Sequence, residues 1–311
     1  MEALNAIVSE INGFLWSSVI IILLVGAGFY FTVRTRGVQI RYFTKMFSLI
    51  TESAGKKTAG NEISPFQAFC VSTASRVGVG NIAGIAIAIT AGGPGAIFWM
   101  WFIAIIGSAT GFVESTLGQI YKVPREDGNG FRGGPAYYIH VLAERKRGKK
   151  LKRSVCAALF AVSGLICWCG ISQVISNSVQ SNTIALALSS SLGLDRMLIG
   201  GVVTVLAMAV ICGGMGRIAR VTEWMVPIMA GIYILITLGI MLFNITEMPR
   251  VFGIIFRDAF DFQAVFGGGM GAAVLTGFKR GLFSNEAGEG SVPNAAATAD
   301  ASHPAVQGLI Q

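Results

Sequence analysis

Residues 75–84 read Ser-Arg-Val-Gly-Val-Gly-Asn-Ile-Ala-Gly and lie inside an otherwise apolar run from Phe66 to Ala91. Arg76, Asn81 and three glycines, Gly78, Gly80 and Gly84, therefore fall at membrane depth. Each is costly there. Glycine weakens a helix by about 1 kcal/mol relative to alanine, and a charge at the bilayer centre costs about 2.5 to 3.5 kcal/mol. Irregular backbone persists at that depth where protein buries it or where it lines a wet cavity, so Val77 to Asn81 is predicted to break a discontinuous helix. A half-helix starting near Ile82 turns N–H groups and the positive end of its dipole toward an anion such as a carboxylate. One ending near Val77 turns carbonyls toward a cation. Gly78 and Gly80 let a ligand approach the backbone, and Asn81 offers both donor and acceptor.

Two exposed ends of this kind suit a zwitterion together with a metal ion, as in secondary transporters with broken helices at the midplane. A second candidate break is Phe266-Gly267-Gly268-Gly269-Met270-Gly271, where the alternative is glycines that let helices approach closely. Arg76 is either the partner of an intramembrane acid such as Glu114 or a fixed positive charge near the site. Ser172, Gln173, Ser176, Asn177, Gln180 and Asn182 make the outer half of the uncharged run 155–190 polar. They either hydrogen-bond neighbouring helices or line a polar site.

Other chemistries are excluded. Gly78-x-Gly80-x-x-x-Gly84 follows no strand and opens no βαβ unit, so it is no dinucleotide fingerprint. Both histidines, His140 and His303, lie outside the apolar runs, which leaves no histidine triad or zinc motif within them. The chain is not expected to be an enzyme. The five cysteines, at 70, 156, 167, 169 and 212, sit in apolar runs and read as small hydrophobes.

The elements that must hold the break in place follow from composition. With 53% hydrophobic and 13% charged residues in 311, the chain carries more apolar surface than a soluble core can hide, so it is read as an all-α polytopic membrane protein. Apolar runs long enough to cross a core of about 30 Å fall at 14–33, 66–90, 96–120, 155–190, 197–215, 224–243 and 262–280, about seven transmembrane helices. Parity makes 155–190 one long, tilted crossing. With the N-terminus outside, Arg196, Arg250 and Arg257 lie in outward loops and Arg76 in the membrane, leaving 20 of the 24 Lys and Arg residues in inward loops at 34–62, 121–153, 216–223 and from 279 on. The positive-inside rule selects this orientation. The net charge of +8, including the basic run 145–153, then belongs to membrane anchoring, and no nucleic-acid partner is expected.

Pro65-Phe66-Gln67-Ala68, Val77-Gly78-Val79-Gly80-Asn81-Ile82-Ala83-Gly84, Gly92-Gly93-Pro94-Gly95-Ala96-Ile97-Phe98-Trp99-Met100-Trp101, Gly133-Gly134-Pro135-Ala136-Tyr137-Tyr138 and Gly281-Leu282-Phe283-Ser284-Asn285-Glu286-Ala287-Gly288 together resemble the alanine or glycine:cation symporter family, from Phe14 to Gln311. The resemblance implies a five-plus-five inverted-repeat fold like that of the bacterial leucine transporter. Residues 14–33 would be an extra N-terminal helix, 63–243 the first five-helix repeat and 262–311 the start of the second, all in one transmembrane domain. It further implies sodium-coupled symport of small neutral amino acids, alanine or glycine, across the cell membrane by alternating access. Substrate would meet Gly78, Val79, Gly80, Asn81, Gln180, Phe266, Gly268 and Gly269, and sodium the carbonyls of Ala74 and Val77. Sodium as coupling ion, amino acid and lipid bilayer are the implied partners, with no cofactor; the oligomeric state stays open. Val79 stands where the family usually has threonine, so a hydroxyl is missing there. Family members continue for several more helices, so the chain is expected to be C-terminally truncated and, as a complete product, not to transport by itself. A proton-coupled carrier on the same fold, or an inactive or regulatory fragment, are the alternatives.

Overall fold

The computed structural model describes residues 2–14, 19–55, 62–126, 128, 130–152, 154–169, 171–260 and 269–311. These are overwhelmingly helical: α1 Glu2–Phe14, α2 Ile20–Arg34, α3 Val38–Arg41, α4 Phe43–Ala54, α5 Pro65–Arg76, α6 Val79–Gly92, α7 Gly95–Ile120, α8 Pro135–Arg147, α9 Val155–Cys169, α10 Ile171–Leu192, α11 Arg196–Ile211, α12 Gly214–Phe243, α13 Met248–Ala259, α14 Gly269–Asn285, α15 Ser291–Ala297 and α16 Pro304–Ile310. Two short strands, β1 Val123–Pro124 and β2 Phe131–Arg132, pair antiparallel.

Among the described residues two helices, Gly95–Ile120 and Gly214–Phe243, are long and apolar enough to cross a membrane, and α5 with α6 makes a third if the bent pair counts as one span. Exposed Leu235, Leu242 and Phe243 on α12 are what a helix solvated by lipid presents. The expected runs 14–33 and 197–215 appear as the shorter apolar helices α2 and α11. The run 155–190 appears as α9 and α10 on either side of residue 170, which lies outside the described residues. Residues 216–223, expected as a loop, are the first turns of α12. Hydropathy marks only the apolar part of a helix, and Arg217, Arg220 and Glu223 belong to the polar end of this one. Of the run 262–280, residues 262–268 lie outside the described residues, and α14 continues past its far end to Asn285.

Contacts divide the chain into two compact units. One comprises 1–47, 80–113 and 228–292, with Ile21, Ile103 and Leu282 in its core and Leu24, Val25, Leu275 and Phe278 packed around them. Within it Gly277 and Gly281 form a small-xxx-small step on α14 that lies against α7. A Cβ at Gly277 would stand 2.6 Å from both the Ala96 carbonyl oxygen and the Trp99 Cβ, and one at Gly281 3.1 Å from Ile103. Trp99 packs edge-on against Phe278 and Phe98. Gly95 opens α7 by donating its N–H to Asp258 Oδ2 at 2.6 Å, and Trp99 Nε1 donates to the Ala259 carbonyl, which ties the amphipathic helix α13 to the start of α7.

The other unit comprises 48–79, 114–227 and 293–311, cored by Ile63, Ala68, Ala219 and Ala299. Ser64 and Gln67 form a reciprocal capping box at the start of α5, with Pro65 at its first position, the arrangement that best satisfies orphan N–H groups. Gln67 Nε2 also donates to Glu223 Oε2 at 2.8 Å. The turn after α15 is held by the end of α7 and the residues just beyond it: Gln119 donates to the Ala299 carbonyl at 2.9 Å and Lys122 Nζ to the same oxygen at 2.6 Å.

Candidate functional site

The predicted break is present and narrower than 77–81. Helix α5 ends at Arg76, and Val77 leaves it with φ −87° and ψ 96°, an extended conformation, its N–H still bonded to the Thr73 carbonyl. Helix α6 begins at Val79, and the chain bends by 47° at this point. Only Val77 and Gly78 are thus non-helical, and the second half-helix opens three residues earlier than the expected Ile82. Hydropathy cannot locate such an edge, because Val79 and Ile82 are equally apolar.

Gln180, on α10, is brought to the break. Its Oε1 accepts the Val79 N–H at 3.0 Å, so a side chain about a hundred residues away satisfies one of the N–H groups that a helix start leaves without a partner. Its amide nitrogen lies against Gly78, where an added Cβ would stand 2.6 Å away. Glycine is needed at 78 for this close approach. Gly78, Val79 and Gln180 therefore form one arrangement; of the other expected site residues, Ala74 lies in the last turn of α5 and Val77 is the first residue beyond it.

Gly80 and Asn81 occupy the first turn of α6, in the unit that also holds α14. A Cβ on Gly80 would be 3.4 Å from the Phe283 ring, and one on Gly84 3.1 Å from Arg280 Nη1. Phe283 and Arg280 were not singled out by the sequence. Their only signal was membership in the polar, glycine-rich stretch 280–288, which says nothing of what it faces. Gly269 is the first residue of α14, whereas Phe266 and Gly268 lie outside the described residues, as does the first half of the second predicted break, 266–268; Gly269 to Gly271 of that run are helical.

Arg76 Nη1 donates to the Gln311 carbonyl at 3.2 Å, and Ser72 Oγ to the Gln311 side-chain oxygen. Glu114 is buried. Outside the apolar helices, burial pushes the Tyr138 hydroxyl pKa upward, with Glu114 adding to it. Burial lowers that of Lys122, which Asp300 and Glu62 partly offset. Among the described residues no group of three or more His, Cys, Asp or Glu side chains could hold a metal.

An apolar, predominantly helical chain with a helix broken inside its apolar run fits a membrane protein of the transporter class. The chain belongs to the sodium:alanine symporter family, whose sequence model matches residues 1–311. It is 49% identical over 310 residues to "Probable sodium/glutamine symporter GlnT" of Bacillus subtilis, covering 100% of this chain and 62% of that protein. It is 47% identical over 309 residues to the amino-acid carrier protein AlsT of the same organism, covering 99% and 62%. With the sodium/alanine symporter AgcS of Methanococcus maripaludis it shares 40% over 306 residues, covering 98% and 65%. The chain thus spans somewhat under two thirds of the length of these relatives. The family is one of symporters and not of enzymes.

Proposed function

We propose that the protein is a sodium-coupled symporter of small neutral amino acids, alanine or glycine, working by alternating access in the cell membrane. The observation that carries this reading is the break at Val77–Gly78 with Gln180 fitted into it. Gln180 Oε1 takes up the Val79 N–H, which leaves its Nε2, beside Gly78, as a donor for a substrate carboxylate. The first-turn amides of α6, at Gly80 and Asn81, add the positive end of a helix dipole. Carbonyls of Ala74 and Val77 are the proposed sodium ligands, and Phe266, Gly268 and Gly269 complete the substrate contacts.

The fold proposed for it is the five-plus-five inverted repeat, with 14–33 the extra helix, 63–243 the first repeat and 262–311 the start of the second, about seven spans in all and the N-terminus outside. The driving force suffices. One charge falling through 100 mV supplies about 2.3 kcal/mol and a tenfold sodium gradient about 1.4 kcal/mol, together a gradient of roughly several hundredfold.

The name of the GlnT relative favours a second reading, glutamine as substrate. Both are tested in proteoliposomes holding the product of the full reading frame that contains this chain. Uptake of labelled alanine is expected to require an inward sodium gradient and to be competed by glycine. Uptake driven equally by a proton gradient without sodium would overturn the coupling assignment, and stronger competition by glutamine than by glycine would overturn the small-substrate assignment.

A further inference from the structure

A cavity of about 340 Å³ opens in the unit 48–79, 114–227 and 293–311, and Arg125, Arg217 and Arg220 all line it, with Thr298 and two glycines, Gly213 and Gly216. None of its described lining residues is acidic. The general excess of Lys and Arg in inward loops accounts for the sign of these residues. It does not account for three guanidinium groups around one concavity.

Two of them, Arg217 and Arg220, lie on the first turns of α12, and the turn before that helix is built to hold one in place. Gly214 has φ +70°, in the region glycine adopts without strain. Arg217 Nη1 donates to the Ala209 carbonyl at 2.9 Å, reaching back across the turn to the end of α11. A Cβ on Gly213 would collide with the Arg217 guanidinium, so glycine at 213 is what lets this side chain lie back over the turn. Arg125 is placed from the other side by the loop between β1 and β2, its N–H bonded to the Gly130 carbonyl at 3.0 Å.

We propose that this cavity is a binding site for a phosphate oxyanion, distinct from the break at Val77–Gly78 and independent of the substrate reading. Planar guanidinium groups give paired, charge-assisted hydrogen bonds to phosphate oxygens, and three of them around one concavity match a tetrahedral anion better than a carboxylate. The phosphate belongs either to an anionic lipid headgroup, as in basic pockets between helices at the cytoplasmic face, or to a free phosphate compound.

The test is a titration of the purified full chain with inorganic phosphate at constant ionic strength, so that simple screening does not register. Saturable binding is expected, weakened about tenfold or more in Arg217→Gln/Arg220→Gln, as loss of two charge-assisted pairs implies. A control pair, Arg145→Gln/Lys149→Gln, removes equal charge from a different basic pocket and is expected to stay within twofold. Arg220→Gln alone, at an exposed side chain, and Gly213→Ala, which displaces Arg217 without removing charge, keep the test readable if the double variant folds poorly; each is expected to weaken binding several-fold. No saturable binding, or an equal loss in the control pair, would overturn the site.

Nanodiscs of phosphatidylcholine with or without phosphatidylglycerol separate the sources. Retention of phosphatidylglycerol by the wild type, lost in the double variant and displaced by phosphate, supports the headgroup. Equal lipid retention in both, with the phosphate difference intact, supports a free phosphate compound.

Discussion

At the scale of single residues, Gly78 and Gln180 are a matched pair. Gly78 leaves room for the amide, and the amide satisfies the Val79 N–H at 3.0 Å. Gly78→Ala drives a Cβ into the amide nitrogen, and the cheapest relief is for Gln180 to swing away and abandon its bond. Each of Gly78→Ala and Gln180→Ala is therefore expected to cost about 0.5 to 1.5 kcal/mol, the net worth of one hydrogen bond. In the Gln180→Ala background Gly78→Ala is expected to be nearly neutral, a coupling of about 1 kcal/mol. Unfolding free energies in micelles read this cycle, and additive costs would show that the contact is incidental. Gly78 was legible in the sequence because a glycine at membrane depth needs a reason. Gln180 was singled out by resemblance, since nothing in its own neighbourhood of Ser, Asn and Thr residues distinguishes it from a group bonded to a neighbouring helix. Phe283 beside Gly80 was not legible, because its polar, glycine-rich neighbours give no sign of what an aromatic there faces.

At the scale of elements, glycine does two different jobs, and spacing alone does not separate them. The pair at 78 and 80 accompanies a break, while Gly277 and Gly281, four apart, sit inside a continuous helix and bring α14 onto α7. The obstacles to a side chain at 277 are the Ala96 carbonyl oxygen and the Trp99 Cβ, both at 2.6 Å, and neither yields as the flexible end of a side chain does. Gly277→Val is expected to lower stability by about 1 to 3 kcal/mol through overpacking. Gly239→Ala on α12, where a Cβ meets nothing within 4 Å, is expected to leave stability unchanged or raise it by up to about 1 kcal/mol. Equal losses at both positions in thermal unfolding would refute close packing of α14 on α7. The start of α5 is marked by the capping box of Ser64 and Gln67 with Pro65 at its first position, which the apolar run from Phe66 does not record. Helix α12 was placed too late, because its first turns carry charge and a hydropathy scan records only the apolar length that follows.

At the scale of the whole molecule, the asymmetry of Lys and Arg sets an expected orientation that the folded chain does not itself define. With the cysteines replaced, Thr246→Cys is expected to react with an impermeant maleimide from outside intact cells, and Lys149→Cys only after permeabilisation; the reverse pattern would invert the topology. By itself the sequence determined the membrane environment, the family and the position of one break to within a few residues. Each rests on composition or on residues adjacent in the chain, where burying charge or interrupting a helix has a local cost. Only the tertiary structure decided that Gln180 caps Val79, that Asp258 caps α7, that Gly277 touches Ala96, and that Arg125, Arg217 and Arg220 share one cavity. These contacts join residues far apart in sequence. Hydrogen-bond geometry and close packing choose such partners only once the helices are side by side, and no local propensity encodes the choice.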